Sequence, residues 1–167
     1  MNQSYLLLGS NIGDRAGWLQ LAREALHTQL GTIKQASAIY ETEAWGKEDQ
    51  AAFLNQAIWL ETSLSAPELL AGLQQIEKDI AHRERLEKWA PRTLDIDILF
   101  FNQEVIHQPG LTVPHPHLQE RRFALTPLCD IAADYRHPVL GKTVAALLAA
   151  CPDLLAARPL PILAANT

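Results

Sequence analysis

The run Leu94-Asp95-Ile96-Asp97-Ile98-Leu99-Phe100-Phe101 alternates carboxylates with bulky aliphatic side chains and then turns wholly apolar. A period of two marks a strand, and side chains at i and i+2 leave it on the same side, roughly 6–7 Å apart at Cα. Asp95 and Asp97 therefore share one face, while Ile96 and Ile98 enter the core on the other. Like charges held so close repel, and a cation between them removes that cost. Hard oxygen donors on a rigid element suit magnesium, with nucleotide phosphates completing the shell. The plain alternative is a solvated face near a sheet end, although Asp is disfavoured in strands.

Upstream of this strand the chain alternates between two periods. Residues 5–9 (YLLLG) read as a short buried strand, after which Ser10 and Asn11 offer N-cap oxygens, with Asp14 three residues beyond Asn11. From Gly13 to Leu30 the apolar residues Leu19, Ala22, Leu26 and Leu30 recur at helical steps, and Gly31 ends the helix. Strands follow at about 33–42 and 53–62, separated by a polar connection, Glu43 to Ala52, long enough to suggest a functional loop. A second helix starts at Ala66 or Pro67 and runs to about Ala81, with Leu69, Leu70, Leu73, Ile76 and Ile80 on one face. The order is β-α-β-β-α-β, which predicts an α+β, ferredoxin-like core with helices packed on one face of a mostly antiparallel sheet. Beyond it the pattern predicts a short strand near 104–106, a Pro/His-rich loop, and helical segments around 121–129 and 143–151. The tail from Pro152 reads as a loosely ordered end in which Leu154, Leu155 and Leu160 could pack back on the body.

A chain of 167 residues suits one domain, here 1–167, with a sizeable core. Its formal charge of -5 argues against a nonspecific nucleic-acid binder, which usually carries a basic surplus. Cys129 and Cys151 are too few for a disulfide framework, so a reduced, cytoplasmic setting is expected. The apolar run Tyr5 to Leu8 is far too short for a membrane span or a signal peptide, and no membrane partner is expected.

Immediately before the acidic strand the charge reverses. Arg83, Arg85, Lys88 and Arg92 face only Glu84 and Glu87 over ten residues, with Trp89 and Pro91 among them. Guanidinium groups bind phosphate oxygens bidentately and neutralise charge that develops during transfer. A cationic, aromatic loop with few apolar anchors can close over a nucleotide.

These residues fall into a known pattern. Arg83-x-Arg85 followed by Trp89-Ala90-Pro91-Arg92-Thr93-Leu94-Asp95-Ile96-Asp97-Ile98-Leu99 closely resembles the signature of the 6-hydroxymethyl-7,8-dihydropterin pyrophosphokinase family, enzymes of folate synthesis. In the same order, Gly9-Ser10-Asn11-x-Gly13-Asp14 resembles the family's opening turn, and Tyr40-x-Thr42 with Gly46 and Phe53-Leu54-Asn55 resembles its pterin-side segments. Val113-Pro114-His115-Pro116 and Arg121-Arg122-Phe123-x-Leu125-x-Pro127-Leu128 resemble its last signature, so the likeness spans roughly residues 5–150. Ala90 stands where the family's tryptophan-to-arginine run usually carries Gly, and Gly110 where some members carry a cation.

The resemblance implies transfer of the terminal pyrophosphate of ATP to the pterin hydroxymethyl oxygen, with release of AMP. Asp95 and Asp97 would hold two magnesium ions, and Arg83 and Arg92 would neutralise the migrating group. Arg85 and Trp89 would contact ATP or form the lid. Gln74, Glu77, Ile98, Thr112, His115 and Arg121 match nucleotide positions. Phe53 and Phe123 match the aromatic pair that sandwiches the pterin, and Asn55 would read its edge. Thr42, with the segment from Glu43 through Trp45 to Gly46, would close that pocket. The implied protein is a cytoplasmic monomer acting on two small molecules, ATP and the pterin.

Other motifs carry less. Gly141-Lys142-Thr143 looks like the end of a phosphate loop, but residue 136 is Arg where the first glycine would stand, so Gly141 reads as a turn. His115, His117 and Cys129 lack the repeated spacing of a zinc site. Ferredoxin-like sheets also serve as RNA platforms, yet neither the first strand nor FLNQAIWLE (53–61) clusters aromatic and basic residues. A noncatalytic ligand-sensing domain on the same fold would need no paired aspartates beside an arginine lid.

Overall fold

The computed structural model describes residues 1–43, 52–83 and 93–161, without the side chain of Arg83. Its main sheet is built on β1 (Asn2–Ser10) and β4 (Phe53–Thr62), which pair antiparallel along their whole length, Asn2 opposite Thr62 and Gly9 opposite Asn55. β5 (Asp95–Phe101) pairs antiparallel with the other side of β1. β2 (Thr32–Ala36) and β3 (Tyr40–Thr42) both pair with β4. The core order is thus that of the ferredoxin-like arrangement. β8 (Arg158–Pro159) extends it beyond β3.

The single strand expected over 33–42 is two, because Ser37 takes over the pairing between them. Its backbone N–H donates to the Ala57 carbonyl at 2.9 Å, and its hydroxyl accepts the Ala57 N–H at 2.9 Å. The side chain substitutes for a ladder carbonyl and the strand bends.

α1 (Arg15–Ala25) continues into a wider turn, Leu26–Leu30, and α2 spans Ala66–Arg83. The cap of α1 is Asp14, whose carboxylate accepts the Gly17 N–H at 3.1 Å, rather than Ser10 or Asn11. Gly31 does end the helix, yet its φ of 168° is ordinary extended backbone. Glycine is required there for space: a Cβ would lie 2.2 Å from the Glu61 carbonyl oxygen on β4.

Leu19, Ala22 and Leu26 of the first helix and Leu69, Leu73, Ile76 and Ile80 of the second bury against Leu6, Leu8, Leu54, Ile58, Ile96 and Ile98 on one sheet face. The two helices of the core thus share one face, as expected, and the C-terminal additions cover the other. α3 (Arg122–Ala132) and α4 (Val144–Ala149) cover the opposite face, packing Ala124, Leu125, Leu128, Val144 and Leu147 on Leu7, Ala57, Leu99 and Phe100. A sheet covered twice needs apolar residues on both sides, which explains the unbroken run at the end of β5. Leu99 and Phe100 are neighbours yet both belong to this second core, because the register slips there: Tyr5 faces Phe100 while Leu6 faces Ile98. A bulge of this kind places two successive side chains on one face.

Where a short strand near 104–106 was expected there is a hairpin, β6 (Ile106–Gln108) with β7 (Leu111–Val113). Gly141, at φ 69°, closes the turn before α4 as expected. The tail is more ordered than its composition suggests. Cys151 and Asp153 are buried, β8 pairs with β3, and Leu160 packs on the first core, whereas Leu154 stays exposed. Among the described residues no helix is long and apolar enough to cross a membrane.

Candidate active site

On the second sheet face, beyond the ends of α3 and α4, the strands are left partly uncovered. Leu7 and Gly9 of β1, Phe53 and Asn55 of β4, and Asp95 and Asp97 of β5 line a cavity of about 290 Å³ there. Thr42 at the end of β3 and the adjoining Glu43 form one wall, and Arg121 and Phe123 at the start of α3 form another. The alternation in β5 puts both aspartates on this side and buries Ile96 and Ile98 on the other, as the sequence predicted.

Gly9 makes room for the amide. It pairs with Asn55, and a Cβ at Gly9 would sit 2.8 Å from Asn55 Oδ1, closer than real Cβ contacts come. A bare backbone therefore lets the amide lie across β1, a use of strand glycine that the sequence reading did not recognise. Thr42 is buried, and its hydroxyl has no hydrogen-bond partner among the described residues. A buried polar group left unsatisfied at a cavity wall awaits a partner from whatever fills the cavity. The Arg121 guanidinium carbon stands 5.6 Å from the centre of the Phe123 ring. That contact presents a cation, backed by an aromatic face, within the same cavity as the two carboxylates.

Asp97 also borders a second cleft, of about 260 Å³, lined by Leu70, Ile98, Leu111, Thr112, His115 and Pro116 among others. Ile98 and Leu111 give it an apolar wall, and Thr112 and His115 give it polar groups. His115 is held from both sides: its N–H donates to the Leu99 carbonyl at 3.0 Å, and Nδ1 accepts the His117 N–H at 3.2 Å. Accepting at Nδ1 leaves the ring proton on Nε2. Burial, with the charges of Arg121 and His117 adding to it, lowers the His115 pKa to about 4. The imidazole is neutral at pH 7.

Gln74 and Glu77 of α2 line a third recess, of about 440 Å³, with Lys78, Ala81, Thr93 and Leu94. Glu77 Oε2 accepts the Ile96 N–H at 2.8 Å. Because among the described residues β5 pairs as a strand only with β1, this bond lies on its other edge.

The structure thus gathers Thr42, Glu43, Phe53, Asn55, Phe123, Asp95 and Asp97 into one cavity and adds Arg121 to it. It places Ile98, Thr112 and His115 in the adjoining cleft, and Gln74 and Glu77 in the recess beside the start of β5. Leu7 and Lys78 line these spaces without having been singled out in the sequence, and Gly9, noted there only as part of the opening turn motif, lines the first. Trp45, Gly46, Arg85, Trp89 and Arg92 lie outside the described residues, as does the side chain of Arg83, the last residue of α2. Among the described residues no three His, Cys, Asp or Glu side chains gather as a metal cluster.

The profile of the 7,8-dihydro-6-hydroxymethylpterin-pyrophosphokinase (HPPK) family matches residues 5–133. The 2-amino-4-hydroxy-6-hydroxymethyldihydropteridine pyrophosphokinase of Bacillus subtilis is 50% identical over 131 residues, 78% of this chain and 78% of that protein. Its counterpart from Aquifex aeolicus is 44% identical over 138 residues, 83% of this chain and 85% of that one. Among solved structures, wild-type Plasmodium falciparum HPPK-DHPS superposes with a TM-score of 0.73 at 19% identity, covering 89% of this chain. This chain spans 44% of that longer protein, and the likeness speaks to the fold.

Proposed function

Because the chain belongs to the 7,8-dihydro-6-hydroxymethylpterin-pyrophosphokinase family, we propose that it transfers pyrophosphate from ATP to the hydroxymethyl group of 6-hydroxymethyl-7,8-dihydropterin, releasing AMP, in folate biosynthesis. One observation carries the reading. Asp97 borders both the cavity that holds Asn55, Phe53 and Phe123 and the cleft that holds Ile98, Thr112 and His115. Two substrates seated in these spaces would meet at its carboxylate.

The first cavity has the chemistry of a pterin site. Aromatic side chains favour offset stacking on a flat heterocycle. The Asn55 amide offers a donor and an acceptor to a ring edge, and the buried Thr42 hydroxyl, without a partner among the described residues, could bond to such an edge. The second cleft suits a nucleotide base against Ile98 and Leu111. In the transfer, the hydroxymethyl oxygen gives up its proton to solvent and bonds to the β-phosphorus of ATP. The bond from that phosphorus to the α–β bridging oxygen breaks, and AMP departs.

Asp95 and Asp97 fit magnesium in their chemistry: two hard carboxylates on one face of a rigid strand, open to a cavity large enough for phosphate oxygens. Bound there, the ion would offset phosphate charge and polarise the reacting oxygens. The protein's own part is to fix both carboxylates, to hold the pterin between Phe53 and Phe123, and to bring Arg121 toward the phosphates. Arg83 and Arg92, with Arg85 and Trp89, would complete the charge neutralisation from the segment before β5. We place the enzyme in the cytoplasm as a monomer.

The deciding assay is AMP formation from ATP, with magnesium, in the presence and absence of the hydroxymethyl pterin. AMP that appears only with all three supports the assignment. Magnesium-ATP binding with no AMP from that acceptor would overturn it.

A further inference from the structure

The two walls of the pterin cavity belong to elements far apart in sequence. Phe123 stands in the first turn of α3, and Thr42 ends the three-residue strand β3. One segment beyond residue 133, where the family match ends, grips both.

Its first grip is on α3. Arg121, at the helix N-cap, provides no side-chain cap. Asp153 supplies one from outside: Oδ2 accepts the Arg122 N–H at 3.3 Å. The Arg122 side chain closes the connection, with Nε donating to the Asp153 carbonyl at 2.7 Å and Nη2 to the Cys151 carbonyl at 3.4 Å. Asp153 is 9% exposed and its Oδ1 accepts the Leu155 N–H at 2.9 Å, so the carboxylate is fixed in place by its own turn. The residue so held precedes Phe123 directly.

The second grip is on β3. Arg158 and Pro159 pair with Glu41 and Tyr40 along the edge of β3 away from β4, and the Leu160 N–H donates to the Ile39 carbonyl at 2.8 Å. A strand of three residues at the side of a sheet is weakly held by one neighbour. β8 gives it a second, with Arg158 opposite Glu41, the residue before Thr42. Between the grips the chain is not anchored by its apolar side chain at residue 154, since Leu154 is 88% exposed. The segment therefore works through its two ends.

We propose that residues 151–160 form a positioning strap for the pterin cavity: Asp153 fixes the Phe123 wall, β8 with Leu160 fixes β3 and through it the Thr42 wall, and their joint hold sets the gap into which the ring stacks. This rests on reading the cavity as the pterin site. The strap's bonds reach neither Thr112, His115 nor Ile98, and adjoin the nucleotide side only at Arg121, so its loss weakens pterin binding more than nucleotide binding. A tail that served stability in general would show no such preference.

The test uses the full chain with Asp153→Ala, which removes the outside cap, Asp153→Asn, which keeps an acceptor, and Leu160→Pro, which removes the N–H. Leu154→Ala is the control. Titration calorimetry measures hydroxymethyl pterin binding in the presence of magnesium and a nonhydrolysable ATP analogue, and analogue binding by itself; thermal melting follows stability. Asp153→Ala and Leu160→Pro should each weaken pterin binding fivefold or more, with analogue affinity within twofold in Leu160→Pro and reduced less than pterin affinity in Asp153→Ala, and Asp153→Asn should recover most of the loss. Pterin affinity within twofold despite a lowered Tm, or equal weakening of both ligands, overturns the strap. Should Asp153→Ala fail to fold, Leu160→Pro decides on the same criterion. Absence of pterin binding by the unsubstituted protein would remove the cavity assignment and the strap with it. Normal binding by the parent and by both variants would remove the strap alone.

Discussion

Glu77 Oε2 accepts the backbone N–H of Ile96 at 2.8 Å, fastening α2 to the edge of β5 away from β1, between Asp95 and Asp97. An unpaired edge N–H would otherwise turn to water, and the strand end would be free to shift. Glu77 thereby sets the position of both carboxylates in addition to lining the recess beside them. Glu77→Ala should lower turnover tenfold or more while pterin affinity stays within twofold, and Glu77→Gln, which keeps a carbonyl acceptor, should lose far less. Initial rates of AMP formation, set beside pterin titrations, check this. Equal loss of rate and of pterin affinity would contradict it.

Asp97 is the residue shared by the two spaces, so its replacement should strike the transfer itself. Asp97→Asn is expected to cut turnover by about 10²–10³-fold, the scale on which removal of one group that stabilises transition-state charge is felt. Pterin binding to the free protein should change little, because Asn55, Phe53 and Phe123 remain. A chelator should stop the wild-type reaction and added magnesium restore it. Near-normal rates in Asp97→Asn would remove the metal-holding role.

The guanidinium of Arg121 and the ring of Phe123, 5.6 Å apart, form a coupled pair. A double-mutant cycle on Arg121→Ala and Phe123→Leu, read in pterin affinity, should give a coupling of about 0.5–1 kcal/mol. Additive losses would show that the two side chains act independently.

His115 offers a pH signature. Its pKa is lowered to about 4 in the folded protein, against an ordinary value near 6.5. Below about pH 6.5 the unfolded chain takes up a proton that the folded chain refuses until about pH 4. The contribution of His115 to stability is therefore intact above pH 6.5 and is lost as the pH falls toward 4. Melting temperatures measured from pH 7.5 to 4.5 should fall more steeply for the wild type than for His115→Gln. Parallel curves would show that the ring titrates normally.

Much of the site was legible because its chemistry is written in short segments. Asp95 and Asp97 could be assigned to one face from the alternation alone, and the residues from Trp89 to Leu99 were specific enough to point to a family. Phe53 and Phe123, by contrast, look like ordinary core aromatics until the fold brings both to the lining of one cavity. Gly9 was legible only as part of the opening turn motif: its role depends on the amide of Asn55 lying across it. Arg121 matched a nucleotide position, and the structure sets it in the same cavity as the pterin residues, against Phe123.

The sequence by itself determined the element order and which side chains of each element go inward, since strand and helix periods are local properties of the backbone. It could not decide that α3 and α4 cover the second face of the sheet, for their apolar stripes state only that a partner exists. Nor could it show the slip that turns both Leu99 and Phe100 toward those helices, or the break at Ser37, where a hydroxyl takes over the pairing of a strand. The acidic pair was a sequence finding. Its neighbours from Leu7 to Phe123, and the strap from Cys151 to Leu160 that joins two walls, were decided by tertiary packing. Contacts between distant segments depend on how the faces close over one another, and no short stretch of chain carries that information.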